Sequence, residues 1–176
     1  MAAMELIYQH EYETDTQTNL VISNIPQTYR HLKLHCQFRR YPNADAYFTT
    51  YVQPNSDSGN CWYNYVGNGG SRSTNGTVGG SIGPSNSGLG VSYKGSAMEF
   101  LFLEYTDTTS YKTCFSNGGY SHFNGWSTEN FRYMGIGTWA STSALTSLRI
   151  YPPGGSHKWN GGSSLYLWGW NDNASA

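Results

Sequence analysis

The stretch Ser23-Asn24-Ile25-Pro26-Gln27-Thr28-Tyr29-Arg30, continuing into His31-Leu32-Lys33-Leu34-His35-Cys36-Gln37-Phe38-Arg39-Arg40, decides how this chain is read. From Leu32 to Phe38 apolar residues take every second position, with His31, Lys33, His35, Gln37 and Arg39 between them. That is the period of a half-buried strand with one core face and one wet face. Pro26 fixes its own φ and pushes Ile25 into an extended conformation, so the approach is a stiff corner outside any central ladder.

Working outward, the same period recurs. Leu6 to Glu13 places Leu6, Tyr8, His10 and Tyr12 on one face and Ile7, Gln9, Glu11 and Glu13 on the other. Leu20-Val21-Ile22, Ala46 to Gln53, Cys61 to Val66, Tyr111 to Ser116, Phe131 to Trp139, Ala144 to Tyr151 and Ser163 to Trp170 read as further short strands between turn formers. Met98 to Tyr105 is the most apolar run, and being apolar on both faces it is expected in mid-sandwich, covered on each side. Two stretches break the pattern. Residues 67–90 are rich in Gly, Ser and Asn, and 118–130 carry Tyr120, His122, Phe123 and Trp126; both are expected to be long loops.

The composition agrees with strands. The 176 residues fit one domain, and 21 Gly, 15 Tyr and 6 Trp against 12% charged residues leave no helical profile. The predicted fold is therefore all-β, a jelly-roll-like sandwich of antiparallel strands without significant helix. Its bounds are 5–170, with 1–4 and 171–176 as terminal tails.

Several function classes lose ground. A net charge of −1 without a basic run gives no nucleic-acid footprint. Nor is there an apolar run of the roughly 20 residues that span a bilayer. Met1 to Met4 carry no basic and apolar leader before Glu5, so synthesis in a cytoplasm is expected. Cys36, Cys61 and Cys114 are an odd set without C-x-x-C spacing and read as free buried thiols. The Gly-rich segment lacks the Gly-Lys-Ser/Thr ending of a phosphate cradle. Scattered carboxylates identify no glycosidase pair. His31 and His35 share a strand face while Cys36 points away, so no metal set converges. The expectation is no enzyme, no cofactor and no metal.

Five words in fixed order carry more. They are Ile25-Pro26-Gln27-Thr28-Tyr29-Arg30-His31-Leu32; Trp62-Tyr63-Asn64-Tyr65 with Gly67-Asn68-Gly69; Tyr105-Thr106 to Tyr111-Lys112-Thr113; Gly137 to Leu148, which includes Trp139; and Gly161-Gly162-Ser163-Ser164-Leu165-Tyr166-Leu167-Trp168-Gly169. In this order the chain resembles small virion structural proteins of tailed bacteriophages, especially those infecting cyanobacteria. Trp168, and the extension from Trp170 to Ala176, depart from the Leu-Tyr-Gly ending of that family.

The resemblance implies a virion building block without enzymatic activity. Because the chain has neither heptads nor an attachment segment, the favoured role is capsid decoration: a symmetric oligomer, expected as a homotrimer, binding the major capsid protein of an assembled head and stabilising it. The motif residues Ile25, Pro26, Tyr29, Leu32, Tyr65, Gly67, Tyr111, Lys112, Trp139, Ser163, Leu165 and Gly169 are expected to be structural. Asn68, Tyr120, Phe123, Trp126, Trp159 and Trp170 are the candidate surface contacts. The alternative is a tail- or fibre-associated module that stacks a host surface glycan on an exposed tryptophan such as Trp126.

Overall fold

The computed structural model describes residues 3–13, 19–39, 51–67, 70–75, 95–123, 128–151, 159 and 161–172. Among them there is no helix. The strands are β1 (Glu5–Glu11), β2 (Leu20–Ile22), β3 (His31–Arg39), β4 (Tyr51–Pro54), β5 (Cys61–Gly67), β6 (Gly70–Asn75), β7 (Gly95–Phe102), β8 (Lys112–Phe123), β9 (Thr128–Trp139), β10 (Leu148–Tyr151) and β11 (Ser164–Trp170). They form an eight-stranded sheet, β1-β11-β3-β7-β8-β9-β5-β6, and a three-stranded sheet, β2-β10-β4. Every pairing is antiparallel. The fold is an all-β sandwich, divided unequally.

Alternation builds the core, as the opening stretch predicted. Leu32, Leu34, Cys36 and Phe38 of β3 all point inward, joined by Met98, Phe100 and Phe102 of β7 and by Leu165 and Leu167 of β11. Leu20, Ile22, Val52, Leu148 and Ile150 of the small sheet belong to the same buried cluster. Each such side chain contributes on the order of 2 kcal/mol by leaving water. The three cysteines are buried and free. Desolvation pushes the Cys36 and Cys114 thiols far above the ordinary range and Cys61 up to about 12.

Four expectations need correction. A register shift between Leu6 and Tyr8 makes a β-bulge at Ile7, so Ile7 and Tyr8 both pack against the core while Leu6, opposite Trp168, turns to the outer face. The described parts of 118–130 are strand, not loop: β8 runs to Phe123 and β9 starts at Thr128, a long hairpin paired through twelve positions. Part of 67–90 is likewise strand, since β6 pairs with β5 along its length. Finally, β7 is central but among the described residues is covered on one face only, because Glu99 and Leu101 remain half-exposed on the other.

Motif residues distant in sequence meet at one end of the sandwich. The Ile25 N–H donates to Thr146 O at 3.0 Å, Tyr105 N–H to Arg30 O at 3.1 Å, Leu145 N–H to Tyr105 O at 2.9 Å and Arg30 N–H to Trp170 O at 3.1 Å. The Tyr105 hydroxyl donates to the carbonyl of Pro26. Gln27 ties the corner twice, through Nε2 to Ile25 O and to Leu145 O. The Tyr29 ring lies so close over Gly169 that a Cβ there would come within 2.6 Å of it. Only glycine leaves that space.

Candidate binding face

With the inner face of the large sheet committed to the core, the outer face is what the molecule presents. Strand pairing sets Leu6, Trp168, Lys33, Leu101, Phe115 and Ile136 in one continuous line across six strands. The neighbouring line holds Tyr166, His35, Glu99, Asn117 and Met134. A third contains Trp62 beside Thr138 and Thr113. Phe115 is 43% exposed, Ile136 45%, Met134 60% and Trp62 41%, far more than the few percent of their inward neighbours. Isolated surface apolar residues are ordinary, but adjacent ones lined up across a sheet mark an interaction surface.

The face has relief and charge. A depression of about 390 Å³ opens over its centre, walled by Met4, Leu101, Phe115, Met134 and Trp170, with Lys33 and Glu99 at its edge. Lys33 Nζ lies 2.6 Å from Glu99 Oε1, and His35 Nδ1 3.6 Å from the same oxygen. The Lys33 hydrogen bond, with His35 adding to it, holds the Glu99 carboxyl below the usual carboxylate range. Cation and anion thus sit side by side on β3 and β7, the third and fourth of eight strands.

At the top of β3 a polar clasp replaces the wet face expected there. His31 is buried: its Nδ1 accepts the Glu104 N–H at 3.1 Å, and its Nε2 faces Asp172 Oδ1 at 2.9 Å. Arg30 reaches both Glu104 and Asp172. The Trp170 ring lies 5.1 Å from the imidazole. With both ring nitrogens engaged, His31 ties the start of β3 to the segment after β7 and to Asp172 beyond β11, and has no free nitrogen for general-base chemistry. Glu104 takes a left-handed φ of 50°, which directs its N–H at the imidazole. Asn171 donates to Thr28 O, so residues 171 and 172 are tied down.

The predicted contact residues fare unequally. Trp170 does line the depression. Trp159 does not reach the surface: it is fully buried, stacked on Phe38 with centroids 4.5 Å apart and planes 8° from parallel, with Tyr12 at 5.3 Å. Stacking between two core rings outweighs its place beside a turn. Tyr120 and Phe123 lie in β8, their side chains outside the described residues, and Asn68 and Trp126 fall outside them altogether. Of the motif residues, Ile25, Leu32, Lys112, Trp139, Ser163 and Leu165 are buried, Tyr29 packs against the core, and Pro26 and Tyr111 are exposed. Gly169 carries the Tyr29 ring, and Tyr65 and Gly67 lie in β5. Lys112 donates from Nζ to Ser110 O at 2.8 Å, and desolvation lowers its pKa. Among the described residues no group of His, Cys, Asp or Glu could hold a metal ion.

Sequence reasoning missed Trp62, Leu101, Phe115, Met134 and Ile136 as surface residues. In Met98 to Tyr105 two apolar sets on one strand predict two covered faces, and among the described residues of β7 only the set of Met98, Phe100 and Phe102 is buried. The alternation of Phe131 to Trp139 does not say whether Met134 and Ile136 face the core. Comparison with protein-family models, with curated proteins and with solved structures finds no match.

Proposed function

We propose that this chain is a structural subunit, a β-sandwich that functions by burying the outer face of its large sheet in an assembly. The observation that carries the reading is the line from Leu6 to Ile136, apolar at every position but Lys33 and left uncovered by the chain's own described elements. A sheet face of this composition matches the apolar core of a protein interface. The setting we propose is a phage virion, where the chain is a decoration protein on the assembled head, without catalysis. Support for that setting is the resemblance of the five ordered motifs to phage virion proteins. The glycan-binding alternative retains Trp170 beside a depression with polar groups at its edge, and loses Trp159 to the core.

Immunogold labelling of virions with an antibody raised against this chain tests the setting. Label on heads is the expected result. Label confined to tails would contradict decoration in favour of receptor binding, and particles without label would contradict both.

A further inference from the structure

We propose that the outer face of the eight-stranded sheet is a two-fold interface between two copies of this chain, packed sheet against sheet. The proposal deepens the reading of this face as an assembly surface and does not depend on a virion setting. Of the eight large apolar residues exposed among the described ones, six (Met4, Leu6, Trp62, Phe115, Met134 and Ile136) belong to this face or its rim. The six strands from β1 to β9 in the sheet order, spaced by about 4.8 Å and seven residues long, give a face of roughly 650 Å². That lies within the roughly 600–1,000 Å² that one partner contributes to a stable interface of standard size.

The arrangement of charge selects the occupant. Lys33 and Glu99 form an adjacent opposite pair near the middle of the face, flanked by apolar residues on both sides: Leu6 and Trp168 toward β1, Phe115 and Ile136 toward β9. A two-fold axis lying in the interface between β3 and β7 brings each apolar half over the opposite half of the second copy. With the axis running along the strands, the same rotation sets each Lys33 over Leu101 and each Glu99 over His35 of the second copy, so that Lys33 and the second copy's Glu99 meet diagonally, two residues apart along the strand. An isologous contact requires such self-complementarity, with every cation meeting an anion when the surface is turned onto itself. Two sheets facing each other at about 10 Å also form the usual aligned packing of sandwiches.

The test is a charge-reversal exchange, read by sedimentation of the purified full chain. The wild type sediments as a species of twice 19.6 kDa. Lys33→Glu and Glu99→Lys, each alone, place like charges across the axis and weaken association by roughly tenfold or more. Mixing the two variants restores the dimer, because each now carries a single sign that the other complements. An internal Lys33–Glu99 pair alone would give no such rescue. Ile136→Lys, at an exposed position, is the second variant and gives monomers with unchanged circular dichroism. A monomeric wild type, a three-fold oligomer, or variants that associate like wild type would overturn the proposal, whatever virion labelling shows.

Discussion

At the scale of single residues, close packing explains more of this chain than chemistry does. Gly169 illustrates it: the Tyr29 ring and the Ile7 side chain occupy the space a Cβ would need, at 2.6 and 2.7 Å. Gly169→Ala should therefore destabilise by about 2 kcal/mol through overpacking, and Tyr29→Ala in the same chain should recover part of the loss in a denaturant titration. A different strain sits in the aromatic cluster of His10, Tyr12, Phe38 and Trp159, where the Tyr12 hydroxyl, His10 Nε2 and Trp159 Nε1 are buried without hydrogen-bond partners among the described residues. Desolvation pushes the Tyr12 phenol far above the ordinary range. Removing an unsatisfied buried hydroxyl relieves a cost. Tyr12→Phe should leave stability unchanged or raise it by about 1 kcal/mol, and a loss of that size would show that the hydroxyl is satisfied.

At the scale of elements, the turn after β4 is locked to the segment before β10 by one side chain. Asn55 Oδ1 accepts from the Thr146 and Ser147 N–H groups at 2.9 and 3.0 Å, and Nδ2 donates to Ala144 O at 2.9 Å. Its φ of 48° is one that asparagine tolerates. Asn55→Ala orphans two N–H donors and should cost about 2–3 kcal/mol. Asn55→Asp, which keeps the acceptors, should cost less in the same thermal-melt series. Two residues along, Asp57 accepts from the Trp139 indole at 2.9 Å and from Asn60, which hold its carboxyl down at about 2 against an ordinary 3.8. A depressed native pKa means the stabilisation is complete above about pH 4 and disappears as pH falls through about 2. Because the Asp57 carboxyl is solvent-screened, the loss is modest: over that window wild type should lose more stability than Trp139→Phe, by well under the full shift, measured as the pH dependence of the unfolding midpoint.

Element by element, legibility followed the strength of the local period. Leu32 to Phe38 was read correctly because a single alternating set is apolar there, and the corner at Ile25-Pro26 because proline admits few conformations. The far ends of β8 and β9, 118–123 and 128–130, read as a loop because Gly118 and Gly119 break the pattern there. Yet Gly118 is there to fit a strand, since a Cβ would meet Ala97 O at 2.6 Å on the neighbouring β7. The bulge at Ile7 left no mark in the pattern, because Leu6 continues the alternation of Tyr8, His10 and Tyr12 as if no residue were inserted. Exposure of Leu101, Phe115 and Ile136 was illegible for a reason of principle: alternation says that a strand has two apolar faces, and only the tertiary layering says which one is covered.

At the scale of the whole molecule, the unequal division into eight and three strands is the consequential feature. A three-stranded sheet and its loops cover one side of the large sheet, while the other keeps an apolar centre with a balanced Lys33–Glu99 pair. Burying that side in an assembly links the fold to its proposed role, as binding confined to the assembled form stabilises it by mass action. Oxidative footprinting of Met134, 60% exposed in the single chain, tests this most directly. In concentrated wild-type protein Met134 should be protected from hydroxyl radicals and become reactive on dilution or in Ile136→Lys; equal reactivity under all three conditions would contradict burial of the face.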